Sequence, residues 1–146
     1  MRLQVGKERL FSKDFTGRTD VIRWDVINVQ LVQMLKMTFV STSSPSKQGI
    51  RLAVDVGKGQ IEVNSVSSKA IELWEHTAPR EVICKCISPQ CLLSIYNIWE
   101  REGMRESQMY GSGMLIEEED NKRTYHCNDY GLDTQFDKLV FTLELL

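Results

Sequence analysis

The sequence lacks any apolar run that approaches the length of a membrane span, and its first residues lack the apolar segment of a secretion signal. It also lacks an Asn-x-Ser/Thr acceptor for glycosylation. Cysteine is too scarce for the disulfide framework of a small secreted domain, because the chain has only Cys84, Cys86, Cys91 and Cys127. These absences predict a cytoplasmic protein with reduced thiols and without a membrane partner.

An excess of positive charge is lacking too. The chain has 18 Lys and Arg residues against 20 Asp and Glu residues, which gives a net charge of −2. Proteins that bind nucleic acids usually neutralise phosphates with a basic surface, so this balance argues against a nucleic-acid partner. The length of 146 residues suits one globular domain, 1–146, and is short for two.

The strongest structural pattern lies at the end of the chain. Leu139, Phe141, Leu143 and Leu145 alternate with other residues, which is the spacing of a strand with one buried face. Similar short apolar segments, separated by turn-forming residues, recur along most of the chain. The sequence therefore predicts a mainly β fold, a single-domain antiparallel β-sandwich with one short helix at most.

Two further strand patterns are readable. Apolar alternation on both sides of Gly57-Lys-Gly59 predicts a hairpin over residues 50–64. Val82, Cys84 and Cys86 alternate on one face, while Ile83 and Ile87 lie on the other. A strand that is apolar on both faces is typical of a central position with both faces covered.

Two segments, 27–37 and 89–102, fit both helical and strand spacing. In the second segment Ser88 and Pro89 suit the start of a helix and Gly103 suits its end. However, residues 93–99 are rich in aromatic and β-branched types, which favour a strand. We predict a strand over 92–99 and leave 27–37 as either a short helix or a continued strand.

No arrangement of residues predicts catalysis, and the sequence predicts no cofactor. Cys84 and Cys86 are separated by one residue, whereas structural zinc sites favour two to four intervening residues. His126 and Cys127 are neighbours on a predicted strand, so their side chains point to opposite faces and do not form a catalytic pair there.

An oxygen-rich loop, Asn128–Asp137, is the one candidate for calcium. Its carboxylates come from Asp129, Asp133 and Asp137, and calcium prefers oxygen ligands. The spacing does not match an EF-hand loop, and Asx residues also favour turns through local hydrogen bonds. A calcium- or carbohydrate-binding β-sandwich, or an enzyme of that fold, is therefore the alternative function.

The favoured function is a non-catalytic interaction module with a protein partner. Segment Glu100–Gly113 is the longest irregular stretch in the predicted fold, and loops of this length often bind partners. The predicted contact residues are aromatic and methionine side chains, which suit adaptable interfaces: Trp74, Trp99, Met104, Met109 and Tyr110. One version, by analogy of size and charge alone, is a bacterial immunity-type inhibitor. The sequence predicts neither the partner nor the oligomeric state.

Overall fold

A computed structural model gives the structure of the protein for residues 8–54, 59–131 and 134–146. Within these ranges the chain forms thirteen β-strands and no helix, and hence none that is long and apolar enough to cross a membrane. The strands are β1 (Leu10–Phe11), β2 (Ile22–Asn28), β3 (Val32–Thr42), β4 (Lys47–Val54), β5 (Gln60–Val63), β6 (Val66–Ser68), β7 (Ala70–Trp74), β8 (Glu81–Ile87), β9 (Leu92–Arg101), β10 (Met104–Ser107), β11 (Gly113–Glu119), β12 (Lys122–Asn128) and β13 (Leu139–Leu145).

The strands form one antiparallel sheet that is nearly closed into a barrel. Its order is β6-β5-β8-β3-β13-β12-β11-β2-β9-β4-β7, with β1 paired to β2 and β10 paired to β9. The predicted mainly β, antiparallel fold is confirmed. The predicted sandwich is not, because the strands follow one continuous hydrogen-bonded path instead of forming two separate sheets.

Strand β2 changes its pairing partner along its length. At its start Ile22 pairs with Met114 of β11, whereas residues Asp25–Asn28 pair with β9. The strand thus belongs to one part of the sheet at its first residue and to the opposite part at its last, as corner strands do in strongly bent sheets.

Neither ambiguous segment contains a helix. Residues 27–37 comprise the end of β2, a reversal and the start of β3, and residues 92–101 form β9. Ser88 closes the turn before β9, because its hydroxyl donates to the carbonyl of Leu92 at 2.8 Å and accepts from the Leu92 N–H at 3.0 Å. The predicted strand over 92–99 is confirmed. The short helix allowed for in the predicted fold is not seen, since tertiary pairing decides such segments.

The hairpin predicted over 50–64 is wrong. Strand β4 pairs with β7 and β9, whereas β5 pairs with β6 and β8. Gly57 and Lys58 lie outside the described residues. Gly59 serves a close approach: a Cβ there would lie 2.8 Å from Cγ2 of Val54 and 3.1 Å from the carbonyl of Ile87. The glycine therefore allows close contact between the end of β4 and the end of β8.

The core fills the interior of this bent sheet. Leu139, Phe141 and Leu143 are fully buried, and Leu145 packs against the same core. The Phe141 ring stacks on Tyr125 of β12, with 4.8 Å between ring centroids. The predicted inward face of the last strand is therefore confirmed.

Strand β8 is covered on one side only. Val82, Cys84 and Cys86 face the core as predicted, but outward Ile83 is 48% exposed. The prediction that both faces are covered is wrong, because no described strand lies over the outer face of β8. The adjacent strand β3 also carries exposed apolar residues, Val32 and Met34, on this face.

Replacing Phe141 with alanine should lower the free energy of unfolding by about 3–5 kcal/mol, because a buried ring is lost and a cavity remains. Urea denaturation of both proteins gives the difference. Val66→Ala is the control, since Val66 is 69% exposed and its truncation should change stability little. A loss below 1 kcal/mol for Phe141→Ala would contradict the burial of this side chain.

Candidate functional site

Trp99, a predicted contact residue, is fully buried. Its indole N–H donates to Oε1 of Glu106 at 2.9 Å, and Glu106 also accepts from Arg101 at 3.0 Å. The Arg101 guanidinium in turn lies 4.2 Å from the centre of the Tyr130 ring. Trp99 therefore stabilises the hairpin of β9 and β10 instead of presenting a free surface.

The predicted irregular segment Glu100–Gly113 is partly a regular hairpin. Glu102 and Gly103 both have positive φ, 54° and 77°, which is the conformation of a tight two-residue hairpin turn. Beyond the turn, Met104 is 67% and Tyr110 64% exposed, and Met109 is 37% exposed. These three predicted contact residues are therefore exposed, unlike Trp99, but none of them lines the groove described below.

The calcium candidates do not converge among the described residues. The buried Asp129 carboxylate accepts from Ser44 Oγ at 3.0 Å, Gln48 Nε2 at 3.1 Å and the Tyr130 N–H at 2.7 Å, so protein donors already occupy it. Asp137 is half-buried, and Asp133 lies outside the described residues. No cluster of three potential metal ligands occurs in the described part of the chain.

The cysteines behave as core side chains with one exception. Cys84, Cys86 and Cys127 are buried, Cys91 is exposed, and all four are free thiols. Burial raises the pKa of Cys84 and Cys86 to about 11, and burial also raises the pKa of Cys127 well above its ordinary value. A thiol held neutral in this way is a poor nucleophile.

His126 lies beside a carboxylate rather than a thiol. Its Nε2 atom is 3.2 Å from Oε1 of Glu117, and both residues line a hollow of about 350 Å³ with Asp20 and Phe136. None of the described residues that line this hollow is serine, threonine, cysteine or lysine. The hollow thus holds a histidine beside a carboxylate, without an alcohol, thiol or amine side chain among the described residues that line it.

A buried polar cluster around Asp25 was not predicted from the sequence. The Asp25 carboxylate is fully buried and accepts from the Tyr125 hydroxyl and the Arg9 guanidinium, each at 2.7 Å, and from the Val26 N–H at 2.9 Å. Burial, together with the negative charge of Asp25, raises the pKa of Tyr125 well above its ordinary value. The phenol therefore stays protonated and keeps donating.

A groove of about 460 Å³ lies where the sheet fails to close. Its walls are the ends of β5 and β7, the connection after β7, and the start of β8. Trp74, a predicted contact residue, contributes to one wall, and the exposed Ile83 contributes to the other. The full lining is Val63, Asn64, Glu72, Leu73, Trp74, Thr77, Ala78, Pro79, Glu81, Val82 and Ile83. We call this site the seam groove.

The β8 edge of the seam groove has backbone groups without a strand partner. The Phe39 N–H donates to the Arg80 carbonyl and the Ser88 N–H donates to the Leu31 carbonyl, both at 2.9 Å. Hydrogen bonding alternates along an antiparallel strand. The even-numbered residues of β8 therefore direct their backbone N–H and C=O groups toward β3, and the odd-numbered residues direct theirs away from β3. Strand β5 pairs only with residues 85–87. Among the described strands, none pairs with the outer edge of Glu81 and Ile83.

The β7 edge is open as well. The backbone N–H of Glu75 donates to the Gln48 carbonyl at 2.9 Å, and the backbone N–H of Val54 donates to the Lys69 carbonyl at 3.0 Å. By the same alternation Ala70 and Glu72 turn their N–H and C=O groups away from β4, and β7 ends the sheet among the described strands. The Ala70 N–H donates to Ser68 Oγ at 3.5 Å, so the open part of this edge is at Glu72. Two open strand edges therefore border one groove.

The charged side chains that line the seam groove are both acidic. Glu72 binds the Arg105 guanidinium, but Glu81 forms no ion pair with any described residue. The groove therefore combines apolar walls, unpaired backbone groups and one uncompensated carboxylate.

Comparison of this chain with protein-family models, with curated proteins and with solved structures finds no match. Its function is therefore inferred from its own geometry. Of the five predicted contact residues, the seam groove includes Trp74 and none of the others. Sequence alternation identified Ile83 only as a covered apolar residue, whereas its exposure makes it part of the site.

Replacing Tyr125 with phenylalanine should lower the free energy of unfolding by about 1–3 kcal/mol, because the buried Asp25 carboxylate loses a donor. Thermal and urea denaturation measure the change. Tyr110→Phe is a matched control, since Tyr110 is 64% exposed. Loss of its hydroxyl should leave the free energy of unfolding nearly unchanged. Equal stability of the two variants would refute the anchoring role of Tyr125.

Thiol reactivity should separate Cys91 from the other three cysteines. In the native protein Ellman's reagent should modify Cys91 rapidly and the buried thiols slowly, because burial limits access and keeps them protonated. In denaturant without reductant all four should react. Rapid modification of a second native thiol, or fewer than four thiols after unfolding, would be inconsistent with the structure.

Proposed function

We propose that this protein is a non-catalytic interaction module that binds a protein partner at the seam groove. The observation that carries the proposal is the joining of apolar walls and open strand edges in one groove of about 460 Å³. Sites that bind peptides combine side-chain pockets with available backbone groups in this way. The free thiols favour a reducing, cytoplasmic location.

The surface beside the seam groove supports the same proposal. Ile83 lies opposite Lys36 of β3, and Met34 of β3 lies opposite Lys85 of β8. The exposed side chains of Ile83 and Met34 are therefore diagonal neighbours on the outer face beside the groove. The N–H of the exposed Leu146 donates to the Met34 carbonyl at 2.9 Å, which adds a further apolar side chain. This outer face therefore carries exposed apolar side chains that alternate with lysines, and such a mixed surface next to an apolar groove suits a protein partner.

Ile83→Glu should abolish partner binding while leaving the fold intact, because Ile83 is already half-exposed and lies at the groove. The probe is a phage library of random dodecapeptides that is selected on the immobilised full-length protein. We expect peptides that bind the wild type to lose at least about tenfold in affinity for Ile83→Glu, as loss of an interface anchor does.

Met104→Glu is the matched control, since Met104 is 67% exposed on the hairpin of β9 and β10. It receives the same charge outside the seam groove and should bind the selected peptides as the wild type does. Circular dichroism and thermal melts of both variants check that each is folded. Absence of any enriched peptide would overturn the proposal, as would loss of binding in Met104→Glu but not in Ile83→Glu.

A further inference from the structure

We propose that the partner binds by strand addition: an extended segment pairs antiparallel with β8 at Glu81 and Ile83, in the part of the seam groove that β5 leaves empty. This inference rests on the proposed function and specifies its binding mode. The segment that fits has two consecutive apolar residues followed by lysine or arginine.

Strand β5 already pairs in this way with the same edge of β8. Gln60 lies opposite Ile87 and Glu62 lies opposite Lys85. Continued in register, the next positions would face Ile83 and Glu81. The chain instead turns away at Asn64 and Ser65, whose φ values are +50° and +66°. The edge thus accepts a strand at Lys85–Ile87, and β5 ends before it reaches Ile83 and Glu81.

The backbone groups of this edge are available for hydrogen bonds. On this edge Glu81 and Ile83 direct one N–H and one C=O each away from β3, by the alternation fixed at Arg80 and Ser88. An added antiparallel strand would satisfy these groups through two of its residues. The residue between those two would direct its own N–H and C=O away from β8.

The residues opposite the segment determine which side chains it needs. A residue opposite Ile83 shares the outer face with this exposed apolar side chain, and apolar cross-strand pairs stabilise sheets. The next residue lies opposite Val82 and points inward, toward the apolar groove walls that include Val63 and Leu73. The third residue lies opposite Glu81, whose carboxylate forms no ion pair with a described residue, so a cation is favoured there.

The first test compares the β8 amides in the free protein and in the protein saturated with peptide. In the free protein, hydrogen exchange followed by NMR should show fast exchange for the Glu81 and Ile83 amides and slow exchange for Val82 and Cys84, which bond to β3. On saturation with a selected dodecapeptide the Glu81 and Ile83 amides should become protected. Protection confined to β7, or no new protection on β8, would overturn strand addition on this edge.

The second test uses methylated versions of the same peptide. N-methylation of the residue opposite Ile83, or of the one opposite Glu81, removes a hydrogen bond to β8 and should weaken binding at least about tenfold. N-methylation of the residue between them is the matched control and should be tolerated, because its N–H points away from β8. Equal losses for all three peptides would overturn the binding mode.

The third test addresses the basic residue. Glu81→Gln should weaken peptides that contain the apolar-apolar-basic motif about threefold, which is typical of an exposed ion pair, and should leave peptides with glutamine at the third position unchanged. If the peptides selected from the library lack this motif, the proposed segment is wrong. These outcomes differ from failure of the proposed function: if Ile83→Glu abolishes binding but methylation has no positional effect, the groove binds a partner by another mode.

Discussion

The buried carboxylate of Asp25 is the constraint on which the rest of the fold depends. Desolvating a charge is expensive, and the cost is offset here by Arg9, by the Tyr125 hydroxyl and by a backbone N–H. The carboxylate lies on β2, the strand that joins opposite parts of the sheet. Because Tyr125 also stacks on Phe141, one charge ties the corner strand to β12 and β13 in the centre of the core.

Buried asparagine side chains also hold loops in place through hydrogen bonds. The side chain of Asn97 in β9 donates to the Asn128 carbonyl at 2.9 Å, and Asn128 donates to the carbonyls of Gly111 and Gly131. A Cβ at Gly111, whose φ is +83°, would lie 2.3 Å from the Gly131 carbonyl oxygen, so only glycine fits between these loops. Polar contacts therefore fix the register where apolar packing alone is non-directional.

The sequence was informative about strands and weak about their arrangement. Alternation in Leu139, Phe141 and Leu143 predicts a buried face because periodicity is a local property. Asn97 counts against a strand by propensity, yet its amide is satisfied by a residue 31 positions away, which no local pattern reveals. The hairpin predicted over 50–64 fails for the same reason, since glycine in a short connection suits both a turn and a close crossing.

The candidate site was harder to predict than the fold, because exposure decides it. Trp74 and Trp99 are both predicted contact residues from the sequence. In the structure Trp99 is buried against Glu106, whereas Trp74 lines the seam groove. Ile83 lies in an apolar strand and looks like a core residue, although nothing in the described part of the chain covers its outer face. Which face of an apolar strand is covered depends on the path of the whole sheet.

The open seam follows from the same path. Closing the sheet requires a strand along the whole of β8, and β5 supplies it only from Lys85 to Ile87 before the chain reverses at Asn64. Strand edges are usually blunted by charge or by cover, because a free edge invites association. Glu81 supplies one charge at this edge, yet the neighbouring Ile83 is apolar and exposed, which is an ineffective protection against other chains. Under the proposed strand addition, one acidic residue beside exposed apolar contacts would favour a partner strand with a basic residue over other strands.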